Sequence, residues 1–346
     1  MRLPLWRLRG AALVLGAAVA ACAGDATAPG TAPRPDDPPA PAVQGYLNPV
    51  YAGDFPDPFI LRDGRFYYAF ATNTGGANVP FMRSVDFVHW DPLGDALPVL
   101  PPWAAAGRGL TWAPAVLRRG GRWVLFYTAR DARRGRQCIG RAVAASPAGP
   151  FVDASVAPFL CQRALGGSID PAVFADADGA LYLLWKNDGN CCGAAVSIWS
   201  QRLTDDATAL VGPPARLVDR DRAWEGRLVE GPALWAAGGR YYLLYSANDY
   251  ATDRYAVGYA LCASPLGPCA KPGDAPILAS APGAAGPGGQ SLFADARGDL
   301  WMAYHAWGRL VGYGAGGVRS LRVDRVAVDG DAVVIRGPTT TPQPLP

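Results

Sequence analysis

Five segments of this 346-residue chain repeat one pattern, a glycine followed by an alternating, aromatic-rich run. They are Gly64-Arg-Phe-Tyr-Tyr-Ala-Phe, Gly121-Arg-Trp-Val-Leu-Phe-Tyr, Gly179-Ala-Leu-Tyr-Leu-Leu-Trp, Gly239-Arg-Tyr-Tyr-Leu-Leu-Tyr and Gly298-Asp-Leu-Trp-Met-Ala-Tyr. Their glycines lie 57, 58, 60 and 59 residues apart, and a fixed period of that length marks a repeated supersecondary unit. Each glycine follows a shorter apolar run: Pro58-Phe-Ile-Leu, Pro114-Ala-Val-Leu, Pro171-Ala-Val-Phe, Pro232-Ala-Leu-Trp and Ser291-Leu-Phe. Each unit therefore opens with a β-hairpin whose turn, mostly Asp-Gly or Gly-Gly, tolerates positive φ. Enough chain remains in every unit for two more strands. Four antiparallel strands repeated radially five times predict an all-β, five-bladed β-propeller over residues 45–340. A β-sandwich would fit the strand content but not the period.

In a propeller the first strand of each blade lines the central channel, and its start sits at one mouth. Aligning the hairpins places Asp57-Pro58, Ala113-Pro114, Asp170-Pro171 and Gly231-Pro232 at equivalent positions, with Glu230 one residue ahead of the fourth. Three acids from blades one, three and four thus fall at about one level. Like charges gathered at a channel mouth repel one another, whereas an enzyme breaking glycosidic bonds needs an acid and a base whose pKa values are driven apart. A third carboxylate can hold the acid protonated. Only Glu225 and Glu230 are glutamates among 29 acidic residues, so a glutamate at the mouth stands out. Glu225 is expected on the connecting loop, with a place lining a substrate subsite as the alternative.

Charge and targeting narrow the partners. Met1–Gly10 carries Arg2, Arg7 and Arg9, Ala11–Ala20 is apolar, and Val19-Ala20-Ala21-Cys22 follows. That order predicts a secretory signal over residues 1–21, and the small residues before Cys22 resemble a bacterial lipobox whose cysteine is lipidated. The apolar run is shorter than a membrane-spanning helix requires. Residues 22–44, rich in Pro and Ala, read as a flexible tether. The protein is expected outside the cytoplasm, held to a membrane only through Cys22. Removing the three leading arginines leaves 29 basic against 29 acidic residues, so the basic footprint of a nucleic-acid binder is missing. A monomer is expected. Six further cysteines in an exported chain suggest disulfides: Cys262–Cys269 across a short turn, Cys138–Cys161, and Cys191-Cys192 either bridged or reduced. A zinc site is disfavoured, since the chain has no CxxC pair and only two histidines.

Asp54-Phe-Pro-Asp57-Pro-Phe-Ile, Trp112-Ala-Pro, Ser168-Ile-Asp170-Pro and Val229-Glu230-Gly-Pro resemble the ordered motifs of glycoside hydrolase family 43. The likeness runs from about Asn48 to Pro338, with support from Ser84-Val-Asp-Phe-Val-His-Trp90, Ser146-Pro-Ala-Gly-Pro-Phe151 and Tyr304-His305-Ala-Trp307. The resemblance implies Asp57 as general base, Glu230 as general acid and Asp170 as the residue orienting the acid, in an inverting mechanism. It implies Trp112 as a wall for a sugar ring, Arg319 as a substrate contact, and His305 as a holder of calcium on the channel axis through water. No cofactor is implied for the chemistry itself. Gly286-Pro-Gly-Gly289-Gln290 departs from arabinan-cleaving members, which often carry histidine there. The implied substrates are arabinose- or xylose-containing oligo- and polysaccharides. Exo-acting α-L-arabinofuranosidase or β-xylosidase comes first, with endo-α-1,5-L-arabinanase or a non-catalytic sugar-binding propeller as alternatives. The sucrose- and fructan-cleaving propellers fit poorly, because neither their Asn-Asp-Pro-Asn nor their Arg-Asp-Pro motif occurs here. Pocket or groove depends on the loops Asn73–Val79, Pro101–Arg108 and Asn187–Gly193.

Overall fold

In a computed structural model, residues 45–86, 89–107 and 109–344 are described; the signal, the whole tether and Cys22 lie outside them. Among the described residues, nineteen strands form five antiparallel sheets, each built from strands consecutive in sequence. Blade one holds β1 (Phe59–Asp63), β2 (Phe66–Phe70), β3 (Pro80–Ser84) and β4 (Asp91–Asp95). Blade two holds β5 (Thr111–Arg119), β6 (Arg122–Arg130) and β7 (Gln137–Ala144). Blade three comprises β8 (Ser168–Ala175), β9 (Leu181–Asn187), β10 (Ser197–Leu203) and β11 (Leu210–Asp219), and blade four β12 (Val229–Ala237), β13 (Arg240–Ala247), β14 (Ala256–Cys262) and β15 (Cys269–Ala270). Blade five is β16 (Ala285–Ala294), β17 (Leu300–Trp307), β18 (Arg319–Asp329) and β19 (Ala332–Ile335). The five-bladed propeller read from the period is the fold.

The aromatic repeat has a direct physical reason. A strand turns alternate side chains to opposite faces, and the second strand of each blade is buried on both. Tyr68 and Phe70 of β2 join Trp123, Leu125 and Tyr127 of blade two in one apolar cluster. Their neighbours Tyr67 and Ala69 join Phe293, Trp301 and Ala303 of blade five in another. The same division recurs between blades two and three, three and four, and four and five. Five inter-blade clusters replace a single core, and the stacked Phe70–Phe81 pair, 5.7 Å between centroids, shows how flat rings fill them.

Blade two corrects the expectation of four strands per unit. Beyond β7 the chain makes only isolated bridges, Val143 to Val152 and Ile139 to Leu160. Pro147, Pro150 and Pro158 punctuate that stretch, and proline cannot donate to a ladder. The Cys138–Cys161 disulfide pins its end. The ring closes through the N-terminal segment: Tyr51 bridges Leu321 on β18, and Tyr46 bridges Gln343, beyond the expected boundary at 340.

Candidate active site

Each inner strand except β1, which begins just past the equivalent point, skips register near its start: between Trp112 and Ala115, Ile169 and Ala172, Glu230 and Ala233, and around Gly288. The residue at that point has left-handed backbone in all five blades, with φ of 51° at Asp57, 43° at Ala113, 53° at Asp170, 57° at Gly231 and 60° at Gly289. A β-bulge re-aims side chains. Holding non-glycine residues at positive φ costs about 1–3 kcal/mol each, a cost concentrated where the acids stand. Gly289 has no alternative, since a Cβ there would lie 2.5 Å from Asp57 Oδ1 and 2.6 Å from the His305 ring.

Asp57, Asp170 and Glu230 all line one cavity of about 1470 Å³ at the channel mouth, together with Trp112, Lys186 and Arg319. The expected acids are therefore brought together. Asp57 Oδ2 accepts 2.6 Å from the Thr72 hydroxyl, which in turn accepts from the Ala113 N–H at 2.8 Å. Oδ1 lies 3.7 Å from the Arg319 guanidinium. Arg319 is packed among Tyr250, Tyr313 and Trp307, its Cζ 4.8, 5.4 and 5.9 Å from their ring centroids, and its Nε donates to the Tyr313 hydroxyl at 3.0 Å. Burial opposes its charge most strongly, but Asp57, Tyr313 and Asp54 together outweigh that and raise its pKa. Trp112 stands at the rim, its indole N–H donating to the Gly109 carbonyl at 2.9 Å.

Glu230 has two donors. Lys186 Nζ, completely buried, donates to Oε2 at 3.0 Å, and the Tyr255 hydroxyl donates to Oε1 at 2.8 Å. Burial disfavours the ammonium, yet Glu230 and Asp170 raise the Lys186 pKa above the usual value. Asp170 Oδ2 accepts from the Gly231 N–H at 3.0 Å. Desolvation, then the Glu230 carboxylate, push the Asp170 pKa up to about 8 against the opposing pull of Lys186. A proton at this mouth is therefore kept near neutral pH. Lys186, Tyr255 and Thr72 were not singled out in the sequence; a polar residue at or just past the end of each aromatic strand was the visible sign of Thr72 and Lys186, while Tyr255, just before β14, had none.

His305 lies inside β17, fully buried, and stacks on Tyr255 with centroids 5.8 Å apart. The Asp57 N–H donates to its Nδ1 at 3.0 Å, so that nitrogen keeps its lone pair and the ring hydrogen sits on Nε2. Burial and Arg319 hold its pKa well below the ordinary value. A neutral ring presenting an N–H, beside a guanidinium, does not suit direct cation ligation. Among the described residues no group of His, Cys, Asp and Glu could hold a metal ion. Calcium enters no step below.

Glu225 is wholly buried and lies off the cavity. The sulfurs are bonded in the pairs Cys138–Cys161, Cys191–Cys192 and Cys262–Cys269. Cys191 reaches the cavity wall beside Asn190, an acceptor of Lys186 Nζ at 2.7 Å.

This architecture places the chain among the propeller glycoside hydrolases. It belongs to glycosyl hydrolases family 43, whose sequence model matches residues 46–333. A xylosidase/arabinosidase of Butyrivibrio fibrisolvens is 29% identical over 211 residues, 58% of this chain and 38% of that protein. An extracellular exo-α-(1→5)-L-arabinofuranosidase of Cellvibrio japonicus is 28% identical over 213 residues, 56% of this chain and 58% of that one. The chain thus spans well under two thirds of both relatives. A crystal structure of a thermostable family-43 glycoside hydrolase superposes with a TM-score of 0.78 at 30% identity, covering 87% of this chain and 99% of that one.

Proposed function

We propose that the chain is an inverting glycoside hydrolase of arabinose- or xylose-containing oligo- and polysaccharides, acting at chain ends as an α-L-arabinofuranosidase or β-xylosidase. The observation that carries the reading is the convergence of Asp57, Asp170 and Glu230 on one cavity, with a buried lysine and a buried arginine as counter-charges. Glu230 gives its proton to the glycosidic oxygen as the C1–O bond breaks and the electron pair leaves with that oxygen. A water attacks C1 from the opposite face and loses its proton to Asp57, which the Thr72 hydroxyl and Arg319 hold in place. Such a displacement needs the two carboxyls roughly 6.5–9.5 Å apart, leaving room for the water. Asp170, hydrogen-bonded to the Gly231 N–H beside Glu230, orients the acid. Trp112 forms a flat wall for the sugar, and Arg319 is placed to contact it.

The names of the Butyrivibrio and Cellvibrio relatives support pentose substrates, and the extracellular relative supports export, with Cys22 as the lipid anchor. An endo-acting arabinanase is the second reading, favoured by a cavity of about 1470 Å³, which exceeds the needs of one sugar ring. Hydrolysis of aryl α-L-arabinofuranoside and aryl β-D-xyloside tests the proposal, with Glu230→Gln as the blank. Release that disappears in the variant is expected. Failure on both aryl glycosides and on polymeric arabinan and xylan would refute it.

A further inference from the structure

The five bulges need an acceptor for the N–H of their left-handed residue, because a buried backbone donor is costly unpaired. Four find it on the second strand of the preceding blade or, for Thr72, two residues past its end. Ala113 N–H donates to Thr72 Oγ1 at 2.8 Å, Asp170 N–H to Thr128 Oγ1 at 3.2 Å, Gly289 N–H to Ser246 Oγ at 2.9 Å, and Asp57 N–H to His305 Nδ1 at 3.0 Å. Strand register shows these acceptors to be equivalent. The pairs Phe59–Phe70, Ala115–Phe126, Ala172–Leu184, Ala233–Leu244 and Ser291–Ala303 set one level. Two residues past the second partner of each pair stand Thr72, Thr128, Lys186, Ser246 and His305.

Blade three breaks the ring. An ammonium has three donors and no lone pair, so Lys186 cannot serve the bulge of blade four. The Gly231 N–H turns instead to Asp170 Oδ2, and Lys186 turns to Glu230 Oε2 and Asn190 Oδ1. The only other lysine in the chain, Lys271, pairs with the only other glutamate. A fold-holding residue at this place would be a hydroxyl, as in blades one, two and four. A completely buried ammonium is a poor structural choice, because removing two charges from water costs more than a well-made apolar or neutral polar contact.

We infer that Lys186 is the positioning residue of the acid: it holds Oε2 of Glu230 as an acceptor and confines the transferable proton to Oε1. The exchange does two things at once, since the displaced Gly231 N–H also fixes Asp170 beside that carboxyl. Asn190, at the exposed rim, keeps the ammonium aimed. The inference rests on Glu230 being the acid.

The test replaces Lys186 by the residue that blades one and two carry. Lys186→Thr restores an acceptor to the ring and should unfold at or above the wild-type temperature. Acid assistance matters most for poor leaving groups, so its turnover of glycosides with alkyl or sugar leaving groups should fall roughly 100-fold, and that of a 2,4-dinitrophenyl glycoside far less. Asn190→Ala, on a surface loop that does not threaten folding, should show the same selectivity at several-fold. Glu230→Gln is measured beside them. If Glu230→Gln lacks the leaving-group-selective loss, the acid assignment fails and the inference with it. If Glu230→Gln shows that loss while Lys186→Thr and Asn190→Ala slow both substrates equally or not at all, Lys186 is only a strut and the inference alone is overturned.

Discussion

Glu225 and Glu230 stand five residues apart, each gripped by a lysine and a tyrosine, yet one is a strut and the other faces the cavity. Glu225 Oε2 accepts from the backbone N–H groups of Asp221 and Arg222 at 2.8 and 2.9 Å, while Oε1 accepts from Tyr245 at 2.8 Å and Lys271 at 2.6 Å. Four donors fill the lone-pair sites of a carboxylate that is wholly out of solvent. It closes the turn leading from β11 into β12. Glu230 has two donors, no backbone N–H, and a side chain 14% exposed at the channel mouth. The lesson lies in saturation rather than in residue type: a filled carboxylate has no lone pair left for a proton, whereas a half-filled one beside open space can hold and release it.

Removing one acid oxygen from each glutamate should separate the two most sharply. Glu230→Gln is expected to lower turnover about 10²- to 10⁴-fold and to cost less stability than Glu225→Gln, because Asn190 Oδ1 and the nearby Asp170 carboxyl still face Lys186. Glu225→Gln should leave turnover within a few-fold but cost about 3 kcal/mol of stability, since Lys271 loses its buried counter-charge. Kinetics and denaturant unfolding on both variants check this. A folded Glu225→Gln protein without activity would break the comparison.

A smaller effect sharpens it through Asp170, the carboxylate that Glu225 has no counterpart for. The native state holds the Asp170 proton up to about 8, against an ordinary value of 3.8. The stabilisation this proton brings is complete below about pH 3.8 and is lost as pH climbs toward 8. Asp170→Asn does not titrate, so its melting temperature relative to wild type should rise between pH 4 and pH 8. A difference that stays flat across that range would show that the site does not strain Asp170.

The propeller was legible because its cause is local and repeated: every second strand must carry rings on both faces, and that requirement recurs each 57 to 60 residues. Asp57 and Asp170 were legible because the bulge before each Pro58 or Pro171 is itself a repeated feature. The fourth strand of blade two was misjudged, since length sufficed but Pro147, Pro150 and Pro158 removed the donors a ladder needs. Lys186 and Tyr255 escaped notice for a different reason. Their effect depends on how a bulge turns one N–H between blades, and neither residue type carries that information alone. The polar break ending each aromatic run, Thr72, Thr128, Lys186, Ser246 and His305, was written in the chain. Only register reveals that four members accept and one cannot. Arg319 illustrates the same limit, because Tyr250, Trp307 and Tyr313 reach it from separate segments.

The central claim is that Glu230 and Asp57 work from opposite faces of one sugar in a single displacement. Proton NMR of the first product formed from an aryl glycoside reads this directly, before the free sugar mutarotates. The first sugar released should carry the anomeric configuration opposite to that of the substrate. Initial product with the substrate's own configuration would contradict the account, because it requires two displacements and a covalent intermediate that this arrangement of acid, base and water does not use.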